Sequence, residues 1–471
     1  MSQGLLPYTV EVVEAVDGLT SRAGLPLVLE TRRALGLPRV IREHVHLRAR
    51  QRGYTEAEQL EALVVLLAAG GDGLADIGVL PAAGGLGRLL ERQLPSADAL
   101  CHCLSACHDD RLIAAAQTQR PSGQVAYIPA EHVALRGLAH VNTALVHRVA
   151  VQGKSATATL AHDATIQESH KREALSPYKG GRGSQPTAVV WGEQDLVVAD
   201  AYRDGNVGAG MATLPRIQRA FASLPATVTT FAFRADTACY DEPTLQWLAD
   251  PARPGGPAGP LGVPIGADMT QDLPAGCAAV ADGRWHLFED RPDETVPCPE
   301  VEFTPGTGTK DAQPLRYVAL RIRKKQGQLF ASGADTKSLA LVSTRWALPA
   351  AALLRWHWQK AGTIARVHAI TKNALGAAVP PCGRFGANAA WYRLSLLPDN
   401  VLSALTSLAL PPSLSTARPK RLRFTLFTLA GRLVTHARQL VLRVSADAER
   451  LAGLIAARAR LALVAQALPA G

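Results

Sequence analysis

Two aspartates in this sequence occupy positions that suit metal-assisted hydrolysis. Asp163 ends the β-branched and apolar run SATATLAHD, and Asp236 ends a similar run, TVTTFAFRAD, 73 residues later. Carboxylates at adjacent strand ends can hold two Mg²⁺ ions about 4 Å apart, one activating an attacking oxygen and the other stabilising a leaving oxygen. The alternative is that each aspartate is a turn or cap residue, because aspartate commonly ends strands.

The pattern around these aspartates predicts the elements that would position them. Short apolar runs at residues 157–165, 187–191 and 196–202 are typical of a three-stranded antiparallel meander. A helix is predicted at 211–224, and a fourth strand ends at Asp236. This order resembles the start of a ribonuclease H-like mixed α/β fold. In such a fold the first and fourth strands are neighbours, so the two aspartates would face each other.

The charge of the chain is unevenly distributed. The net charge is +10 over 471 residues, but residues 351–471 hold 16 Lys and Arg against three acids, so the first 350 residues sum to about −3. A basic final third is typical of a protein that binds a polyanion such as nucleic acid. The alternative is a basic face that is only solvated.

Composition also narrows the protein class. A hydrophobic content of 47% with 19% charged residues is ordinary for a folded, soluble protein. The first residues show no signal-peptide pattern, and no apolar run is long enough to span a bilayer. The seven cysteines are irregularly spaced, which fits a reducing cytoplasm.

One cysteine-rich run has a zinc-site alternative. LCHCLSACHDD places three cysteines beside His102 and His108. We favour buried free thiols, because Cys-x-Cys is the wrong spacing for a zinc knuckle, and Cys103 and Cys107 fall on one apolar helix face.

The sequence divides into five predicted regions. Residues 1–150 form a helical N-terminal region that binds a DNA end or a partner, or is only a helical cap; it includes a capped helix near Thr55. Residues 151–250 form the first part of the catalytic core, and 251–348 a β-rich insertion. Residues 349–400 hold the last catalytic helix and the end of the core, and 401–471 a basic helical region.

Three groups of basic residues are candidate phosphate contacts, with simple solvation as the alternative. In RYVALRIRKK, apolar and basic residues alternate, so that Arg316 and Arg321 would lie with the basic end of the strand. The candidates are Arg323, Lys324 and Lys325 in this run, Arg366 and Lys372 in the helix-forming stretch after it, and Arg418, Lys420, Arg421 and Arg423 near the C-terminus.

Several motifs together resemble one family. They are HDAT with ESHKREAL, VVADAYRDGNVGAG, FRADTACYDE, LRYVALRIRKKQGQLF, and AGTIARVHAITKNALG followed by GRFGANAAWYRLSLL. This set is similar to the DDE transposases of bacterial insertion sequences. The branch concerned has a β-rich insertion and a tyrosine, arginine, glutamate, lysine signature on its last helix. The resemblance covers nearly the whole chain.

The resemblance implies a catalytic site with one acid missing. Asp163 and Asp236 correspond to the first two metal-binding acids. The signature spacing falls on Trp358, Ala361, Ala365 and Lys372. Ala365 stands where the third carboxylate belongs, which should weaken one of the two Mg²⁺ ions, or of the Mn²⁺ ions that can substitute. His368 could ligate a softer metal, but a packing histidine is the favoured interpretation.

The resemblance also implies partners and a location. A transposase would bind double-stranded DNA at element ends and at a target, as a homodimer on paired ends, without a membrane, in the bacterial cytoplasm near the nucleoid. The alternative is a transposase-derived DNA-binding protein without catalytic activity. A purely structural or oligomerising protein is a third possibility, which salt-sensitive DNA binding would contradict.

Overall fold

The computed structural model describes residues 18–47, 53–80, 86–89, 93–153, 155–269, 273–290, 293–301, 315–325 and 327–467. The architecture is mixed α/β. The α-helices are α1 (Pro26–Ala34), α2 (Leu37–His44), α3 (Glu56–Ala69), α4 (Leu86–Leu89), α5 (Ala97–Ser105), α6 (Asp110–Gln119), α7 (Val133–Gly153), α8 (Thr213–Ala222), α9 (Glu242–Ala249), α10 (Leu273–Ala278), α11 (Ala350–Trp358), α12 (Ile364–Ala374), α13 (Phe385–Leu408), α14 (Pro419–Leu422) and α15 (Ala448–Ala467).

The strands form four sheets within the described residues. They are β1 (Leu19–Thr20), β2 (Thr157–Ala164), β3 (Gln167–Glu168), β4 (Gly183–Ser184), β5 (Thr187–Trp191), β6 (Leu196–Ala201), β7 (Thr230–Arg234), β8 (Pro264–Ala267), β9 (His286–Asp290), β10 (Glu294–Cys298), β11 (Glu300–Val301), β12 (Arg316–Lys324), β13 (Thr336–Ser343), β14 (Ala430–His436) and β15 (Gln439–Ser445).

The central sheet has the strand order β6-β5-β2-β7. Strands β2, β5 and β6 form an antiparallel meander, and β7 runs parallel to β2 after the crossover through α8. The prediction that the first and fourth strands are neighbours is therefore confirmed. Buried apolar residues line both faces of β5, which is typical of a strand covered on both sides.

The predicted β-rich insertion is present as a second sheet. Its order is β8-β13-β12-β10-β9, with β11 also paired to β12. Phe233 of β7 donates a backbone hydrogen bond to Gly262, just before β8, so this sheet adjoins the central one. Residues 302–314 of the predicted insertion lie outside the described residues.

The N-terminal helices follow the sequence signals. At α3, the Thr55 hydroxyl accepts a hydrogen bond from the Glu58 backbone, while the Glu58 carboxylate accepts one from the Thr55 backbone. This capping box confirms the helix predicted near Thr55. Most of the helix is buried, so it is a core helix instead of an amphipathic surface helix.

The C-terminal region differs from the helical prediction. Between α14 and α15 the chain forms the β14–β15 hairpin, which pairs with β1 in a three-stranded antiparallel sheet. Ala437 and Arg438 have positive φ at the hairpin turn. Seven cross-strand pairs between β14 and β15, together with the pairing to β1, hold these residues in strands.

The stretch predicted as the last catalytic helix is also not continuous. It is divided into α11, a 3₁₀ turn (Gln359–Gly362) and α12, with a break at Thr363. Gly362 and Thr363 are weak helix formers, which explains why the helix breaks there.

A long buried helix joins the parts of the fold. α13 contacts four helices of the N-terminal region, α1, α3, α5 and α7. It also contacts β6, α12 and α15. One hydrophobic core runs through these elements. The residue boundaries of the five predicted regions stay predictions.

Among the described helices, none combines the length and the apolar character needed to cross a membrane. The start of the chain, for which no signal peptide was predicted, lies outside the described residues.

Candidate active site

Asp163 and Asp236 lie side by side at the carboxyl ends of β2 and β7. Ala161 pairs with Arg234 in the parallel register, and each aspartate is two residues further along its strand. Their carboxyl groups come within hydrogen-bonding reach of each other. One oxygen of Asp163 accepts the Ala164 N–H at 2.8 Å, and one oxygen of Asp236 accepts the Ala238 N–H at 3.1 Å. Each carboxylate keeps a second oxygen for a ligand.

The electrostatic setting of the pair is asymmetric. Burial raises the pKa of Asp236, the positive charge of Lys360 opposes this shift, and the nearby Asp163 carboxylate adds to it. Lys360 lies on the 3₁₀ turn between α11 and α12. The acid pair thus has a cation of the chain itself nearby, and a bound cation would lower the repulsion between the carboxylates further.

An open cavity of about 740 Å³ contains both aspartates. Its walls come from the β2–β5 connection, the start of α8 and the end of α12. Tyr178 lines it with its side chain 75% exposed, and Lys179 Nζ lies 5.7 Å from the Tyr178 ring centre. The turn is closed by a hydrogen bond from Gly180 N–H to the Pro177 carbonyl. The cavity is therefore large enough for a nucleotide-sized group beside the acids.

Behind the acid pair, a buried polar network joins β2 to the segment after β7. Arg216 Nη1 donates to His162 Nε2 at 3.1 Å, and His162 Nδ1 lies 3.2 Å from Cys239 Sγ. Burial, followed by the Arg216 charge, lowers the pKa of His162 well below its usual range, so the ring is neutral. Because Nε2 accepts a hydrogen bond, the proton of the neutral ring is on Nδ1, and this N–H donates a hydrogen bond to the Cys239 sulfur. This network positions the two neighbouring aspartates.

Helix α12 covers one side of the site. Lys372 Nζ donates to the Ile166 carbonyl at 2.7 Å and lines the cavity. His368, one turn earlier, is buried beside the Asp163 backbone, and burial lowers its pKa to about 4, so it is neutral. Ala365 and Ala369 are exposed. Of these three residues, His368 is therefore the buried one, and the two alanines are at the surface.

The other two signature positions lie away from the acids. Trp358 packs edge-on against Phe288 of the insertion, with ring centres 5.2 Å apart. Ala361 is exposed on the 3₁₀ turn.

The site provides fewer metal-binding side chains than a three-carboxylate site needs. In the described part of the chain, no three His, Cys, Asp or Glu residues lie together as a metal-binding group. The free oxygens of Asp163 and Asp236 can hold one divalent cation between them. The methyl group of Ala365 supplies no ligand for a second cation. His368 is buried beside the Asp163 backbone, and neither of its ring nitrogens has a hydrogen-bond partner among the described residues.

Two predicted phosphate contacts have structural partners instead. Arg366 forms an ion pair with Asp195 in the turn between β5 and β6. Arg423 donates to the carbonyls of Leu67, Ala68 and Ala374, which ties the C-terminal region to α3 and α12. Sequence alone does not separate such buried arginines from surface ones, because arginine hides its stem and satisfies several acceptors at once.

The remaining basic candidates are distributed over two surfaces. Arg418, Lys420 and Arg421 are exposed around α14, close in sequence to the 79% exposed Phe424. In the insertion, Arg323 is exposed, while Lys324 forms an ion pair with Glu294 at 2.7 Å and Lys325 is half-buried.

Arg316 and Arg321, which lie in the same strand of the insertion, also have partners within the protein. Arg316 is buried, and its guanidinium donates to the Arg345 carbonyl at 2.7 Å. Arg321 stacks on Trp285 at 3.8 Å. The predicted basic cluster at residues 316–325 is therefore dispersed among separate partners.

The cysteine-rich run is packed as predicted. Cys103 and Cys107 are free and buried, and burial raises the pKa of Cys107 to about 12. His108 accepts the Gly386 N–H at 3.2 Å. These residues belong to the packing between α5 and α13.

Sequence reasoning missed the groups that surround the acid pair. Lys360, Tyr178 and Arg216 lie in segments without a distinctive motif, and the HDAT motif gave no role to His162. One signal was available: His162 directly precedes Asp163 in a strand that is buried on both faces. A buried histidine needs polar partners, so a network next to the aspartate was foreseeable.

Comparison with known proteins finds similarity among solved structures. No protein-family model matches the sequence, and no curated protein matches it. Among solved structures, the chain is similar to a piggyBac transposase in a synaptic complex with hairpin DNA. The TM-score is 0.44 and the sequence identity 10%, over 88% of this chain and 82% of that one.

Proposed function

We propose that this protein is a DNA transposase of the insertion-sequence type with a ribonuclease H-like core. It binds element ends and cleaves and joins DNA strands in a metal-dependent reaction that the missing third carboxylate impairs. The observation that carries the proposal is the Asp163–Asp236 pair, at matching positions on two parallel strands and inside an open cavity. The strand order of the central sheet and the basic final third of the chain agree with it.

The residues of the cavity have separate roles in this proposal. Asp163 and Asp236 would hold Mg²⁺, or Mn²⁺ in its place. Lys372, held by the Ile166 carbonyl, contacts a phosphate that enters the cavity. Lys360 limits the negative charge of the acid pair. A bound divalent cation supplies charge neutralisation at the scissile phosphate and a lower pKa for a coordinated water.

The DNA partners follow from the same proposal. Double-stranded DNA at the element ends and at the target is the substrate, and two protomers act on two paired ends. Arg323, Lys324, Lys325, Arg418, Lys420 and Arg421 remain proposed phosphate contacts. The location is the bacterial cytoplasm, where the DNA is.

One observation favours a second candidate function. Ala365 is exposed and offers no ligand, and no acid follows Asp335 in the sequence before Asp399. A chain that keeps its fold and basic surfaces but lacks the third acid would bind DNA ends without cutting them. The alternative is therefore a catalytically inactive, transposase-derived DNA-binding protein.

Replacing Ala365 separates these two functions. The substrate is a linear duplex built from the genomic DNA on both sides of the gene, incubated with Mg²⁺ or Mn²⁺. We expect Ala365→Glu to raise cleavage at least tenfold over the unmodified chain, because a third carboxylate adds a metal ligand. Asp163→Ala should abolish cleavage in both backgrounds. Binding of the duplex in a gel shift should stay unchanged in Ala365→Glu.

The matched control is Ala369→Glu, which adds the same charge at another exposed position of α12. Rescue by glutamate at 365 alone supports the proposal. DNA binding with no cleavage by any variant supports the inactive DNA-binding protein. Cleavage that persists in Asp163→Ala shows that the metal site is assigned to the wrong residues.

A further inference from the structure

The β14–β15 hairpin has one apolar and one basic face. Leu433, on the inner face, is only 1% exposed, and its cross-strand neighbour Leu442 lies on the same side. On the outer face, Arg432 and Arg443 are directly opposite each other, and both are exposed. Arg438 and His436 lie at the exposed turn end. The outer face thus carries the Arg432–Arg443 pair at one end and the exposed turn with Arg438 at the other, with the Val434–Val441 pair between them.

The opposed arginines are an unfavourable arrangement for the free protein. Like charges at directly opposite positions of an antiparallel pair destabilise the sheet. The sequence has no acidic residue between Asp399 and Asp447. Asp447 itself is paired with Arg450 at 3.0 Å. In the part of the chain that the structure describes, Arg432, Arg438 and Arg443 form no ion pair with an acid.

The hairpin is held firmly in place. Arg432 is paired with Leu19 of β1, and the Leu433 N–H donates to the Gly18 carbonyl at 2.8 Å. Arg88 Nη2 donates to the Thr435 hydroxyl at 3.0 Å. A ribbon anchored through β14, with β15 paired to it along seven residues, presents its charges without the ordering cost of a loop.

We propose that the outer face of this hairpin is a further DNA-contact surface. In it, Arg432, Arg438 and Arg443 neutralise phosphates of a duplex, outside the acid cavity. Phosphates between the two opposed arginines remove their repulsion, so the pair stabilises the complex and destabilises the free protein. The exposed Lys420 and Arg421 precede the hairpin and extend the same positive charge along the chain. This inference rests on the proposed function, since it takes DNA as the polyanion.

The test measures how strongly salt weakens DNA binding. Each phosphate contact contributes about 0.9 to the slope of log K against log salt concentration. We expect the double variant Arg432→Gln/Arg443→Gln to lower this slope by about 2 for a random-sequence 30-base-pair duplex of roughly three helical turns, measured by fluorescence anisotropy.

The matched control is Arg450→Gln/Arg458→Gln, which removes the same net charge. These arginines are paired with Asp447 and Glu30, so the slope should change by less than half as much. An equal change in both double variants would mean a general charge effect and overturns the inference.

A second measurement needs no DNA. At low salt, Arg432→Gln/Arg443→Gln should unfold at an equal or higher temperature than the unmodified chain, because the like-charge pair is gone. A lower melting temperature would mean that the arginines are paired within the chain, for example with Glu11, Glu14 or Asp17 outside the described residues, and overturns the inference.

The two proposals can fail separately. If the unmodified chain does not bind the duplex at low salt, the proposed function fails, and the inference with it. If it binds but its salt slope is the same in Arg432→Gln/Arg443→Gln, the proposed function stands and the hairpin surface is rejected.

Discussion

A buried carboxylate in α13 makes the stability of the protein depend on pH. Asp399 is 6% exposed, and burial raises its pKa to about 8; the nearby Asp195 adds to the shift, and Arg366 opposes it. The folded-state pKa lies above the unfolded value of about 4. The folded state therefore binds this proton more tightly, and the associated stability is lost as the pH rises from about 4 through about 8.

We expect Asp399→Asn to remove most of this pH dependence. Between pH 5 and pH 8, the free energy of unfolding of the unmodified chain should fall by about 3 kcal/mol more than that of the variant. Urea unfolding at several pH values measures the difference. The control is Glu449→Gln, which is exposed and should parallel the unmodified chain. Parallel curves for all three proteins would show that Asp399 titrates normally.

Single residues were predictable where a strand end carried them. Asp163 and Asp236 follow apolar runs, and the parallel pairing of β2 with β7 brings them together. Arg366 and Arg423 were not predictable, because their partners are an acid and carbonyl groups that come from remote segments. Local sequence patterns show which side chains lie at the end of an element. They do not show which distant group will form a hydrogen bond or an ion pair with them.

At the scale of elements, α13 is fixed by a buried ionic network. Arg393 donates to both Asp200 oxygens at 2.9 and 3.0 Å and to Glu131 at 2.9 Å, which connects α13 to β6 and to the start of α7. Burial opposes the charge on Arg393, but Asp200 and Glu131 outweigh it and raise the pKa of the guanidinium. The hydrogen bonds among Arg393, Asp200 and Glu131 are complete only when all three side chains are present.

Removing the arginine alone should be costly. We expect Arg393→Met to lower the free energy of unfolding by about 3 kcal/mol, because the buried Asp200 carboxylate loses its partner and the half-buried Glu131 keeps only Arg219. The triple variant Arg393→Met/Asp200→Asn/Glu131→Gln should recover at least half of this loss. Urea unfolding measures both, with Arg39→Met as control, since the Arg39–Glu43 pair is exposed. A loss no larger than that of Arg39→Met would contradict the role of the network.

The elements themselves were predictable to different degrees. The central strands and the Thr55-capped helix were foreseen because alternation and capping are local signals. The β14–β15 hairpin was missed, since LVTHARQLVLRV is rich in residues that also form helices and lacks a glycine turn. Pairing with β1 decides its structure, and that partner is about 400 residues away in sequence.

At the scale of the whole molecule, the two ends of the described chain are packed together. β1 pairs with β14, α1 contacts α15, and Arg458 bonds Glu30 at 2.8 Å. One face of the insertion sheet, with Tyr317 and Val342, belongs to the same core as α13. The predicted regions therefore share a large part of their hydrophobic interior, while the other face of the insertion sheet packs in a separate cluster with α11.

Because the interior is shared, we expect the protein to unfold cooperatively. A change at one close contact between the chain ends should then alter the stability of the whole protein. Gly24 lies against the C-terminal region, where an added Cβ would be 1.9 Å from the Leu426 carbonyl oxygen. Gly24→Ala should lower stability by about 2 kcal/mol, because the backbone must shift to relieve the overlap. The melting temperature should fall equally by calorimetry, by far-ultraviolet circular dichroism and by fluorescence of the buried Trp191 and Trp391.

The control for this prediction is Gly453→Ala in α15, where no atom lies within 4 Å of the new Cβ. Alanine there should stabilise the helix by roughly 0.5 to 1 kcal/mol. If Gly24→Ala instead separates an early transition from a late one that keeps the native temperature, the chain ends form an independent unit. The packing of α1 and β1 on the C-terminal region would then be a local contact, and the acid pair would not depend on it. A common shift in all three signals means that the site at Asp163 and Asp236 is held by the whole fold.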